Sequence, residues 1–203
     1  IGGLGVFTVE FLVVRGKFSG GTILVLTAPS FVGALAGLAV AGPRLDGTGS
    51  KPWLRRALEL FSVAIAGWLA LASGVAPPWP VLVGALNFFG GLAGALFGLA
   101  NTHIIMGSVP AMGRNHFFAL FSVVSGIGLG AAPIVWGAML DLLGPLDAAW
   151  GPLSVNRYSV YFGALLILLA VNLRLARRLH EGAAGMPATP PAAADPRPVA
   201  PVE

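Results

Sequence analysis

Between Ser19 and Gly42 the chain runs without a charged side chain, a stretch long enough to cross bilayer hydrocarbon, for which ~20 apolar residues suffice. Backbone polar groups in lipid must be satisfied within the segment itself, so such a stretch is a helix and needs similar segments as neighbours. Five further apolar runs supply them: Ile1–Val14, Ala57–Gly74, Val81–Val109, His116–Leu142 and Tyr158–Leu179. The first is too short to span and reads as the far end of a helix truncated at its beginning, in a fragment whose upstream part is missing. With 56% hydrophobic and 10% charged residues, against ~25% charged in soluble domains, the expected fold class is all-α, a polytopic transmembrane bundle of six spans over residues 1–181. From Gly182 to Glu203 Ala, Pro and Gly dominate, which predicts a disordered tail.

Charge orients the bundle. The run Gly42–Lys51, with Arg55 and Arg56 behind it, is a polar hairpin between the second and third spans. Placing it in the cytoplasm also puts Arg114, Arg174, Arg177, Arg178 and the C-terminal tail there, leaving Arg15, Lys17 and Arg157 outside. That asymmetry selects one orientation, with Trp79 and Trp150 on the outer side and a bacterial inner membrane as the expected location. The sequence pI of about 10.4 then reflects orientation at helix ends rather than a nucleic-acid surface. Zero cysteines exclude disulfides and thiol chemistry.

Helix packing in lipid relies on small residues where backbones approach. Gly33 and Gly37 stand four apart in the second span, Gly90, Gly94 and Gly98 in the fourth, and Gly126 and Gly130 in the fifth. Pro29 and Pro133 fall near the expected midplane, where broken helices either bind and bend in transporters or kink with the freed carbonyl satisfied locally.

The hairpin reads G-x-x-x-D-x-x-G-x-K through Gly42, Asp46, Gly49 and Lys51, and is followed by Val109-Pro110-x-x-x-Arg114 before a Gly-rich span. With six spans around it, this pattern resembles the C-terminal half of a major facilitator superfamily transporter. Gly47 stands where that family usually has a basic residue, and Gly126, Gly130, Pro133 and Gly137 are similar to its Gly/Pro motif. The resemblance implies a twelve-helix protein whose halves rock about a central site and move a small-molecule substrate by alternating access. This chain then supplies helices seven to twelve, and its partners are the bilayer and the missing N-terminal six-helix half. The resemblance also implies that Asp46 meets a helix of that opposite half, making Gly42, Asp46, Gly49, Lys51, Arg55 and Arg114 a gating hairpin.

Ionisable or polar groups within spans are the candidates for a substrate or proton site. Glu10 either takes up a proton or cationic substrate, or pairs at the surface with Arg15 or Lys17. His103, after Asn101 and Thr102, either lines the inward cavity or bonds across helices. Asn87 has the same choice between substrate and neighbouring helix. No nucleophile elbow, phosphate loop, cofactor motif or clustered metal ligands can be read, so enzymatic chemistry has little support. The competing role is a membrane scaffold or assembly protein that transports nothing.

Overall fold

The computed structural model describes residues 3–108, 114–144, 146–150 and 153–178. The tail 182–203, the connection 109–113 and the side chain of Arg114 lie outside them. Six helices alternate in direction: α1 (Leu4–Val14), α2 (Gly20–Thr48), α3 (Lys51–Ala72), α4 (Pro80–Ser108), α5 (Arg114–Leu142) and α6 (Arg157–Arg178). Four of them, α2, α4, α5 and α6, are long and apolar enough to cross a membrane, which makes this a polytopic membrane protein. α3 is similarly long but carries Lys51, Arg55, Arg56 and Glu59 in its first turns, while α1 is short. Of the six expected spans, four meet the requirement on length and composition among the described residues.

Two expectations change at the ends of the bundle. The polar run from Gly42 is not a loop: α2 continues through Pro43, Arg44 and Asp46 to Thr48, and α3 begins at Lys51. At ~1.5 Å per residue α2 is about 44 Å long, well beyond the ~30 Å of hydrocarbon, so its last turns are polar because they have left the lipid. Gly49 and Ser50 alone form the turn, with Gly49 at φ 75 and its N–H donating to the Leu45 carbonyl. With ψ 171, this positive-φ conformation is one that essentially only glycine adopts, and it ends the helix there.

The second change is a β-hairpin in a region read as loop. β1 (Asp147–Trp150) pairs antiparallel with β2 (Leu153–Asn156), Asp147 opposite Asn156, so the fold is mostly rather than wholly helical. Buried Asn156 fastens this hairpin. Its Oδ1 accepts from the N–H groups of Tyr158 and Ser159, capping α6, while its Nδ2 donates 2.7 Å to the Ala72 carbonyl at the end of α3. Ser159 Oγ reciprocates by accepting from the Asn156 N–H, giving two-way satisfaction of orphan donors at a helix start.

The core has two seams. Along the first, α2 and α4 approach through Gly33, Gly37 and Gly91: a methyl at Gly33 runs into the Phe88 carbonyl, and one at Gly91 into that of Ser30. The glycine spacing thus identifies the seam on α2 and misidentifies it on α4, where Gly90 and Gly98 face open space and Gly94 lies at ordinary contact distance from Phe61. Gly126 and Gly130 on α5 are also open. The reason is geometric, because four-residue spacing fixes one face of a helix without saying which face meets a partner.

Aromatic rings build the second seam. Trp68 of α3 stacks on Phe162 of α6 with centroids 6.2 Å apart, and Phe11 of α1 sits edge-on to Trp68, Tyr158 and Phe162. Tyr161 joins Phe7 and Trp136, which brings α5 to the edge of the cluster. Phe61 against Phe97 and Gly67 beneath Leu86 connect α3 to α4, joining the two seams.

Candidate functional site

The sequence motif is brought together with His103 at the α2–α3 turn. Ser50 is buried, 4% exposed, and its Oγ lies 2.6 Å from Nδ1 of His103 near the end of α4. His103 Nε2 is 3.6 Å from Asp46 Oδ1. One imidazole therefore bridges the turn and the last helical turn of α2. Its roles at the two nitrogens depend on tautomer, and when protonated it donates at both. Among the described residues Asp46 meets His103 on that side, and its side chain is 92% exposed. A carboxylate so exposed can exchange a weak partner for a better one at little cost.

The neighbouring motif residues divide into structural and exposed groups. Gly49 shapes the turn, as above. Gly42 is helical with open space where a Cβ would sit, so no packing among the described residues requires glycine there. Trp53 Nε1 donates 2.7 Å to Thr48 Oγ1 across the turn, and Arg56 lies over the Trp53 ring at 5.0 Å. Arg55 pairs along its own helix with Glu59 at 2.7 Å, and Lys51 opens α3. Arg114 opens α5. Asn101 is half-buried two positions before His103, hence on another side of α4, and does not join the cluster.

Missing from the expectation was Ser50 itself. A serine after a glycine reads as turn chemistry, and nothing in the local sequence announces a bond to a residue 53 positions away.

Glu10 has a different partner from those expected. Neither Arg15 nor Lys17 pairs with it; Arg157 donates 2.9 Å to Glu10 Oε1 and 2.8 Å to the Tyr158 hydroxyl, which itself donates 2.9 Å to Glu10. Arg15 instead pairs with Asp147 of β1 at 2.8 Å. The antiparallel order explains this. The end of α1 meets the start of α6 and the β-hairpin, a contact between distant parts of the chain.

Asn87 takes the helix-to-helix role. Its Nδ2 donates 3.0 Å to the Leu26 carbonyl of α2 and 3.1 Å to Val83 on its own helix. Pro29 lacks an N–H and leaves the carbonyl four residues earlier, that of Val25, without its helical donor, so polar support on this side of α2 falls where the ladder is interrupted. Pro133 lies within α5, whose most apolar 18-residue window buries none of its residues. Compared with family models, characterised proteins and solved structures, the chain matches none.

Proposed function

We propose that the chain is one six-helix half of a secondary transporter that moves a small solute by alternating access. The observation that carries this reading is the lopsided burial of the bundle. α3 places ten residues in the core, whereas the apolar stretch of α5 places none and α2 exposes Phe31, Val32, Leu35 and Leu38. Lipid alone can cover apolar side chains, but open glycines at 126, 128 and 130 fit a close-packed helix better than they fit acyl chains. A second helical half against α2, α4 and α5 accounts for both. The Pro29 and Asn87 region then lies beside the interface between halves, where carriers bind near the midplane.

In this reading the turn is the gate. Asp46 leaves His103 and accepts from the free N–H groups at a helix start of the opposite half while the cytoplasmic side is closed, and returns when it opens. The Ser50–His103 bond holds the turn to α4 throughout. A partly buried charge at a helix start contributes up to ~2 kcal/mol, about thirtyfold in a two-state ratio.

The test uses full-length protein in vesicles, screened with labelled sugars, amino acids and organic cations for saturable, gradient-driven uptake. Asp46→Asn is expected to cut uptake strongly while equilibrium solute binding and membrane abundance change little. Uptake within twofold of the parent contradicts the gate. Absence of saturable uptake, with a stable protein partner crosslinking to α5, decides for a scaffold.

A further inference from the structure

The opposite end of the bundle holds a cleft that transport by the rocking halves does not use. Arg15 and Val14 at the end of α1, Leu146 and Asp147 before and in β1, and Arg157 with Tyr158 at the start of α6 border a space of about 440 Å³. Two guanidiniums line it beside one bordering carboxylate, Asp147, while Glu10, outside the lining, pairs with Arg157. Val14 and Leu146 give it an apolar side.

A guanidinium carries five N–H donors. The contacts described above take one from Arg15 and two from Arg157, leaving further donors on both side chains. The Arg15–Asp147 pair is also weakly held, at 42% and 63% exposure, and an exposed ion pair contributes little. An incoming anion with oxygens in several directions can therefore displace Asp147 and engage both arginines. A phosphate has that geometry and is matched well by arginine forks. The cleft lies where α1 and α5 end and α6 begins, beside the β-hairpin.

We propose that this cleft binds a phosphate group, with Arg15 and Arg157 as its donors and Val14 and Leu146 facing the ligand's apolar portion. A phospholipid headgroup and free phosphate share the chemistry. The proposal is independent of transport.

The experiment is native mass spectrometry of the full-length protein in non-ionic detergent, titrated separately with dihexanoyl phosphatidylglycerol and with inorganic phosphate. Saturable one-to-one binding of either supports the site: lipid retained in excess phosphate identifies a headgroup, and phosphate bound without lipid identifies the free anion. Arg15→Gln is expected to weaken binding roughly tenfold, the scale of a charge-assisted hydrogen bond. Asp147→Asn is expected to tighten it, because the competing carboxylate is gone. The opposite signs matter, since an ion pair serving only to fasten the hairpin is broken by both substitutions alike. Should Arg15→Gln fail to fold, Arg15→Lys keeps the charge, loses the fork and is expected to weaken binding in the same direction. Binding of neither probe, or the same direction of change in the Arg15 and Asp147 variants, overturns the proposal.

Discussion

Replacing Gly91 by alanine drives a methyl into the Ser30 carbonyl across the α2–α4 seam, whereas the same change one position earlier, at Gly90, meets open space. The pair isolates packing from helix propensity. Glycine to alanine within a helix is worth up to ~1 kcal/mol by itself, so Gly90→Ala is expected to be neutral or stabilising by about that amount. At Gly91 the obstructing atoms are backbone and cannot rotate aside, so the helices must separate. Overpacking of this kind costs ~1–3 kcal/mol. Separation also stretches the 3.0 Å bond from Asn87 to Leu26, a contact between helices that averages ~0.6 kcal/mol in membranes. Set against a propensity gain of ~1 kcal/mol, Gly91→Ala is expected to lower stability by about 0.5–2.5 kcal/mol. Unfolding in mixed micelles with rising dodecyl sulfate, followed by far-UV circular dichroism, measures the difference. Coincident midpoints for the two variants refute the glycine seam.

Other expectations test local features. Asn156→Ala removes the cap of α6 and the bond to Ala72 together, and is expected to cost roughly 2–3 kcal/mol in the same unfolding assay, whereas Asn172→Ala, an exposed site bonding only within its helix, stays within about 0.5. Gly49→Ala forces a side chain into φ 75 and is expected to lower the midpoint by roughly 1 kcal/mol, while Gly47→Ala, exposed and helical, does not. A cysteine at exposed Gly47 is expected to resist an impermeant thiol reagent in intact cells and to react after permeabilisation; reaction in intact cells reverses the orientation.

Helix positions were legible because hydrophobicity marks what lies in lipid. The expected starts at Val81 and Tyr158 fall one residue from those of α4 (Pro80–Ser108) and α6 (Arg157–Arg178). Where α2 ends was not legible for the same reason. Asp46 and Arg44 report on depth, not on backbone conformation, and a helix that outruns the bilayer turns polar without stopping. Pro43 reads as a breaker, yet it removes only one N–H from an exposed turn. The hairpin at Asp147–Asn156 escaped because its strands are four residues each, and it is fixed by Asn156 reaching α3 rather than by any local alternation. At the site, the sequence singled out Asp46 and His103 separately; what joined them was Ser50 and the antiparallel return of α4.

The transport reading requires that some positions near the middle of the bundle be reachable by water from both sides in turn. Single-cysteine scanning of the exposed faces of α2, α4 and α5 is done in a cysteine-free background of the full-length protein, to which this chain contributes no cysteine of its own. Each variant is treated with an impermeant thiol reagent in right-side-out and in inside-out vesicles. Alternating access predicts a stripe around Pro29 to Leu35 on α2, or the facing positions on α4, whose cysteines react from either side, with Asp46→Asn shifting the balance between the two rates. Mid-bundle positions that react from neither side, or from one side only, contradict it.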